Sequence, residues 1–172
     1  DSMKIAITCF FVFYTSLSFV QTVTWTGTNR THNWEDANNW DTGNVPCLTC
    51  DVIITNDSVS VSSVQSIKSL TLSGSQLLVN ILLPKVSPAL NIIGSSSEGL
   101  SVENSSVCDI LGILNITNSG GSGIIIDDGI LNLTGDGTID NMDEYGLHIQ
   151  DGTLNLHGNL DVINIDLDGI KI

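Results

Sequence analysis

Residues 123–145, GIIIDDGILNLTGDGTIDNMDEY, decide the fold, because residues 146–168, GLHIQDGTLNLHGNLDVINIDLD, repeat their pattern at once. Ten positions are identical between the two copies, and a third copy opens at Gly169. A related start, GLSVEN, occupies residues 99–104, one residue further away than a period of 23 would place it. Repeats of fixed length are typical of stacked-coil proteins, in which each repeat buries its apolar face only against its neighbours.

The aligned copies divide their side chains between two faces, because successive side chains of a strand point in opposite directions. Aliphatic residues recur at fixed positions and are predicted to form the core: Leu100, Val102, Ile124, Ile126, Leu131, Leu133, Leu147, Ile149, Leu154 and Leu156. The positions between them vary and are predicted to face outward: Ser101, Ile125, His148 and Lys171. Asn132 and Asn155 also face outward in this scheme and are predicted to stack as a ladder of side-chain amides.

Two further features of the repeat concern its turns and its last third. The pairs Asp128-Gly129 and Asp151-Gly152 are predicted turns in which glycine adopts a positive φ. In the last third, Asp140 occupies the position that Ile163 takes in the next copy, so a single alternation does not assign the faces there.

The repeat length and the composition together predict the fold. Three short strands of about 5 residues with their turns fill a coil of about 23 residues. The chain is 41% hydrophobic but only 5% aromatic, so its core is expected to consist of Ile, Leu and Val. We predict an all-β fold, a right-handed parallel β-helix (β-solenoid) of such coils over residues 51–172, and we expect further C-terminal coils of the same protein. An antiparallel β-sandwich is the alternative.

The segment before the coils differs in composition. Residues 22–50 contain many turn-forming residues and are predicted to form an N-terminal cap with three aromatic anchors, Trp25, Trp34 and Trp40. After this cap, alternating segments predict strands at residues 51–55, 58–62, 66–72, 76–82 and 89–93. Pro84 and Pro88 interrupt the series.

Residues 1–21 are predicted to be a secretory signal peptide, with two extra residues ahead of Met3. One lysine precedes the uncharged apolar stretch 5–20, which is short for a transmembrane helix of about 20 residues. Ser16-Leu17-Ser18 has the small-x-small pattern of a cleavage site. A retained membrane anchor is the alternative. We expect a secreted or cell-surface protein with no membrane span after cleavage.

The spacing of the cysteines indicates whether the protein contains a disulfide, as an exported protein can. Cys47 and Cys50 form a C-x-x-C pair, which is compatible with a structural disulfide, half of a zinc site or a redox motif. No second C-x-x-C or nearby histidine completes a zinc site, and no βαβ pattern surrounds a redox motif. A disulfide is favoured in an exported protein, which leaves Cys108 as a free thiol.

The formal net charge of -14 argues against nucleic acid as a partner, because such binding depends on Lys and Arg that neutralise phosphates. We interpret the many carboxylates as a solvated acidic surface, with calcium binding as the alternative. Residues 164–169, NIDLDG, match the start of a calcium loop, but Lys171 occupies a position that should be aliphatic. We therefore predict no metal or other cofactor. His148 and His157 replace Ile125 and Thr134 of the preceding copy, so we predict no catalytic residue.

One pattern resembles a known class of proteins. It consists of Trp25-Thr26-Gly27, Trp34, Asn39-Trp40, Gly43, Val45-Pro46 and the run DVII at 51–54. This pattern resembles the N-terminal region of large secreted bacterial surface proteins of the adhesin-like and autotransporter-like kind, where it leads into a right-handed parallel β-helix. The resemblance implies that the tryptophan side chains close the end of the solenoid core. It also implies an adhesin or another cell-surface protein.

These observations lead to two functional hypotheses. The first is an exported protein with a structural or adhesive role, whose outward columns and turns bind extracellular carbohydrate or the surface of a host or neighbouring cell. The alternative is a polysaccharide lyase or glycoside hydrolase on the same scaffold, with its active site in the part beyond Ile172. Acids and bases clustered in a groove on one outward sheet would favour the enzyme. A smooth surface of Asn, Ser and Thr would favour the adhesin.

Overall fold

The chain folds into short β-strands joined by turns, with one three-residue 3₁₀ helix at Ala37–Asn39. Our computed structural model describes residues 20–80 and 89–172, so Pro84, Pro88 and all but the last two residues of the predicted signal peptide 1–21 lie outside it. Within those ranges no helix has the length and apolar character that crossing a membrane requires. The strands are β1 (Gln21–Thr24), β2 (Cys50–Thr55), β3 (Ser58–Val61), β4 (Gln65–Ile67), β5 (Ser69–Ser73), β6 (Gln76–Val79), β7 (Ala89–Ile93), β8 (Leu100–Glu103), β9 (Val107–Ile110), β10 (Ile113–Ser119), β11 (Ile124–Asp127), β12 (Ile130–Leu133), β13 (Gly137–Met142), β14 (Leu147–Gln150), β15 (Thr153–Leu156), β16 (Leu160–Ile165) and β17 (Ile170–Lys171).

The strands form three sheets in which every neighbouring pair is parallel. One sheet has seven strands in the order β1-β2-β5-β8-β11-β14-β17. The other two have five strands each, β4-β7-β10-β13-β16 and β3-β6-β9-β12-β15. The predicted all-β fold with parallel strands is confirmed, and the antiparallel sandwich is wrong. From β2 onward the chain visits the three sheets in turn, an arrangement compatible with a β-solenoid.

The spacing between paired residues varies along the seven-stranded sheet. Val52 pairs with Leu70, Leu70 with Leu100, Leu100 with Ile124, and Ile124 with Leu147. The last two steps have the spacing that the repeat predicts, whereas the first step is shorter and the second is longer. The paired strands remain in register at each of these steps.

The core consists of aliphatic columns. Each column is formed by residues in register on successive strands of one sheet, such as Leu100, Ile124 and Leu147. Seven of the ten predicted core residues are at most 1% exposed: Leu100, Val102, Ile124, Ile126, Leu131, Leu133 and Leu147. Full burial of such a side chain contributes roughly 1.5–3 kcal/mol. Ile149 and Leu154 are half-buried, and Leu156 is 41% exposed. They are less covered than predicted because β15 is the outermost strand of its sheet and β17 pairs with β14 only at Leu147 and His148.

The turn that follows each strand of the seven-stranded sheet from β2 to β14 contains a left-handed residue, and the turn after β8 has a second one, Ser105. A left-handed residue occurs at Asn56, Gly74, Asn104, Asp128 and Asp151. The prediction that Gly129 and Gly152 adopt a positive φ is therefore wrong, since the preceding aspartates adopt it. Glycine is needed there for another reason: a Cβ on Gly129 would lie 2.5 Å from the Val102 carbonyl oxygen, and one on Gly152 would overlap Cγ2 of Ile126. The coils approach too closely for any side chain.

A second left-handed position explains why simple alternation does not assign inward and outward faces in the last third of the repeat. Asn118, Asn141 and Asn164 have φ values of 59°, 64° and 53° within β10, β13 and β16. Asparagine is one of the few residues that tolerate this conformation. The bend inserts one residue into the alternation, so both Ile139 and Met142 point into the core although strict alternation would place them on opposite faces.

Two sequence predictions need correction, one about the bounds of a strand and one about the exposure of a side chain. The predicted strand 66–72 is two strands, β4 and β5, because the chain turns a corner at Lys68 and both Ile67 and Leu70 point inward. Ser101 was predicted to face solvent but is only 7% exposed. Its small side chain is covered by Thr71 and Ile125, its partners on the two adjacent strands.

Candidate functional site

The three tryptophans of segment 22–50 form one cluster against the first coil. Trp25, Trp34 and Trp40 are 5%, 0% and 3% exposed. The Trp40 ring is edge-on to the other two, with centroid distances of 4.9 Å to Trp25 and 4.8 Å to Trp34. Its Nε1 donates to the Trp34 carbonyl oxygen at 2.8 Å. Since β1 pairs with β2 and the Trp34 amide donates to the carbonyl oxygen of Ser60 on β3, this segment covers the edges of the first strands.

A network of polar side chains holds the loop between Trp25 and Trp40. The buried Asn39 donates from Nδ2 to the Thr31 hydroxyl at 2.8 Å and accepts from the Asn29 amide at 3.0 Å. Asp36 accepts from Nδ2 of Asn29 and from the amide of Asn38, and these hydrogen bonds, that of Asn29 above all, lower the pKa of Asp36. The loop therefore has a fixed conformation without a regular secondary structure.

The cysteines are in the states predicted for them. Cys47 and Cys50 form a disulfide with a Cα–Cα distance of 5.1 Å. Cys108 is a free thiol buried in the core, in register with Leu77 and Leu131. Burial raises the pKa of Cys108, and the charge of the neighbouring Asp109 raises it further. Because the thiolate is the reactive form of cysteine, Cys108 acts as a packing residue and not as a nucleophile.

A shallow, open depression of about 250 Å³ lies where the first two coils meet the tryptophan segment. Its lining consists of Asn56, Asp57, Ser58, Gly74 and Gln76. Asn56 lies in the turn after β2, and Gly74 lies in the corresponding turn after β5. The pairing of β3 with β6 sets Ser58 directly beside Gln76. Sequence reasoning missed this site. Aligning residues 52–61 with residues 70–79 would have revealed it, since that alignment sets Asn56 beside Gly74.

Asp57 is the charged group of this depression. Its Oδ2 accepts from Trp25 Nε1 at 2.8 Å, and its Oδ1 accepts from the Ser58 amide at 2.7 Å and lies 3.4 Å from His32 Nδ1. Partial burial opposes ionisation of Asp57, but the hydrogen bonds from Trp25 and Ser58 and the proximity of His32 outweigh it and lower the pKa. A fixed, ionised carboxylate therefore stands at the edge of the depression at neutral pH.

Substitution of Asp57 by asparagine is expected to change the pH dependence of stability. Because the pKa of Asp57 is lower in the folded state, its ionisation stabilises the fold above the usual value of 3.8, and this contribution is lost as the pH falls through the folded-state pKa. The difference in unfolding free energy between wild type and Asp57→Asn should shrink as the pH falls below 3.8. Urea unfolding at each pH measures it. Asp161→Asn, at an exposed position, is the control. If the difference in unfolding free energy between wild type and Asp57→Asn is the same at every pH, the pKa of Asp57 is not lowered by folding.

The outward faces of the two five-stranded sheets carry ladders of hydrogen-bonded side chains. On one sheet Asn155 donates to Asn132 at 2.7 Å, and Asn132 donates to Asp109. The predicted amide ladder is confirmed and extends one strand further, to an aspartate. On the other sheet Asn115 donates to Asn91 at 2.9 Å, and Asn91 donates to the hydroxyl of Ser66. Each ladder is a regular row of polar groups fixed by the strand register.

The remaining acids and histidines belong to several different strands and turns. In the part of the chain that the structure describes, no group of three or more His, Cys, Asp or Glu side chains is arranged to hold a metal ion. In the segment that resembles a calcium loop, Asn164 instead donates from Nδ2 to Asp140 at 2.7 Å. His148 packs beside the Tyr145 ring, at a centroid distance of 5.2 Å, and His157 is exposed.

Comparison with known proteins gave no match among protein-family models, curated proteins or solved structures. The function proposed below therefore depends on the geometry of this chain and on its sequence.

Proposed function

We propose that this chain is part of an exported, right-handed parallel β-helix with a structural or adhesive role at a cell surface or outside the cell. The observation that carries the proposal is the pair of outward ladders, Ser66–Asn91–Asn115 and Asp109–Asn132–Asn155. They are rows of amide and hydroxyl groups in fixed register, with one carboxylate, that of Asp109, at the end of the second row. Such rows suit an extended, hydroxyl-rich partner such as an extracellular carbohydrate, because amides both donate and accept hydrogen bonds.

Export is supported by the sequence of residues 1–21 and by the disulfide. Cys47 and Cys50 are bonded to each other, and disulfides persist in oxidising compartments outside the cytosol. The right-handed coil is supported by chain geometry, since crossover connections between parallel strands of one sheet are nearly always right-handed. The resemblance of the tryptophan segment to secreted adhesin-like proteins with right-handed parallel β-helices also supports export and a right-handed coil.

Adhesion tests this proposal directly. Beads coated with the purified chain should be retained on surfaces bearing immobilised polysaccharide or whole cells, and beads coated with an unrelated acidic protein should not. Retention should persist at about 0.5 M salt, because interactions between exposed charges are strongly screened there whereas contacts of neutral amides and hydroxyls are not. No retention on any surface, or retention lost at high salt, would count against an adhesive role.

A further inference from the structure

The depression beside the tryptophan segment has hydrogen-bonding capacity that the protein itself does not use. Asn56 and Gln76 are exposed, and among the described residues the Asn56 side chain makes no hydrogen bond. Gln76 only accepts a 3.4 Å contact from the Ser58 hydroxyl, which leaves its amide nitrogen free. A side-chain amide offers two donors and an acceptor. The rim of the depression therefore presents donors and acceptors to solvent.

Close packing around Asp57 and Asn56 holds the lining of the depression in place. Gly27 lies so close to Asp57 that a Cβ there would overlap Oδ2, and a Cβ on Gly74 would overlap Oδ1 of Asn56. Both glycines also have a positive φ. With the Trp25 indole donating to the same carboxylate, Asp57 has little freedom to move. A site fixed in advance loses less conformational entropy when it binds a ligand.

The same outward column becomes apolar in the next two coils. Gln76 is in register with Val107, and Val107 is in register with Ile130. Val107 is half-buried, whereas Ile130 is 38% exposed. Adjacent strands are about 4.8 Å apart, so a hydrogen-bonding rim passes directly into an aliphatic platform.

We propose that the depression and its aliphatic platform form a binding site for a neutral saccharide. Sugar hydroxyls donate to carboxylate and amide oxygens and accept from amide nitrogens, which Asp57, Asn56 and Gln76 supply. The C–H faces of a second sugar unit would cover Val107 and Ile130 and bury apolar surface. A uronic acid is disfavoured because its carboxylate would face that of Asp57, and Nδ1 of His32 already faces Asp57 and the Ser58 carbonyl oxygen. This site rests on the carbohydrate-binding role proposed above and gives it a location.

Titration of the intact chain with short oligosaccharides tests the site. Isothermal calorimetry would compare neutral gluco- and N-acetylglucosamine oligomers with a uronate oligomer of equal length. The variant Asn56→Ala/Gln76→Ala should weaken neutral saccharide binding by about tenfold or more, since each hydrogen bond contributes about 0.5–1.5 kcal/mol. The matched control Gln150→Ala/Asn159→Ala removes the same exposed side chains at the other end of the stack and should change binding less than twofold.

Three results would overturn the site: equal binding by the two double variants, tighter binding of the uronate oligomer, or no saccharide binding at all. None of them by itself rejects the adhesive role, because the bead assay measures that separately. If beads adhere equally well with and without Asn56→Ala/Gln76→Ala, the ladders or another surface carry adhesion and the site is wrong. If beads never adhere, the proposed adhesive role is wrong.

Discussion

Substitution of Trp40 by alanine is expected to lower the unfolding free energy by about 3–5 kcal/mol, the range for removing a large aromatic side chain from a core. Trp40 is 3% exposed and contacts both other tryptophans edge-on, so its loss leaves a cavity between them. Its Nε1 is also the donor to the Trp34 carbonyl oxygen. Removing that donor leaves a buried acceptor unpaired and adds to the loss.

Urea unfolding followed by circular dichroism measures this effect. Leu48→Ala, in the same segment but 51% exposed, should change stability by no more than about 0.5 kcal/mol. If Trp40→Ala fails to fold, Trp40→Phe decides the question, because it keeps a ring and removes only the indole donor and part of the volume. We expect an intermediate loss for that variant. A Trp40→Ala protein within about 1 kcal/mol of wild type would show that the tryptophan cluster does not secure the first coil.

Substitution of Leu131 by aspartate should prevent the central coils from folding at neutral pH. Leu131 is 0% exposed and lies between Cys108 and Leu154 on the adjacent strands. A carboxylate there has no partner, and an isolated buried charge costs more than a typical domain's margin of stability of about 5–15 kcal/mol. The milder Leu131→Ala should remain folded and lose about 2–5 kcal/mol.

The neighbouring residue supplies a matched control. Ile130 is an aliphatic side chain of the same size on the same strand, but it faces outward and is 38% exposed. Its partners on the adjacent strands are Val107 and Thr153, which carry no charge. Ile130→Asp should therefore cost no more than about 1 kcal/mol. Equal effects of aspartate at positions 130 and 131 would mean that the strand does not alternate between core and surface.

The sequence predicted the fold best where copies could be compared with each other. The repeat placed Leu131 and Leu133 in the core and Asn132 outside, and the register of β12 with β15 agrees. It did less well where the backbone departs from alternation. Asn141 takes a left-handed conformation, and that conformation depends on the stacking of coils and not on the local order of apolar and polar residues.

The candidate binding site was missed because the first two coils do not share the period of the visible repeat. Asn56 belongs to the first coil and Gln76 to the second, and the pairing of Ser58 with Gln76 sets these two coils side by side. The spacing from Val52 to its partner Leu70 falls below the visible period, so the first coils were predicted as separate strands without a register. The disulfide could be predicted because its two cysteines are close in the chain itself.

Cross-linking of adjacent coils tests the central claim that the coils stack in parallel register. Asn132 and Asn155 are direct partners on β12 and β15, so cysteines at both positions lie about 4.8 Å apart, within the range of a disulfide. Asn132→Cys with His157→Cys moves the second cysteine two residues along the chain, just past the end of β15, which gives about 8 Å, beyond that range. Mass spectrometry after mild oxidation should find the 132–155 bridge in nearly all molecules and the 132–157 bridge in few. Equal bridging of both pairs, or none at 132–155, would contradict the stacked parallel coil.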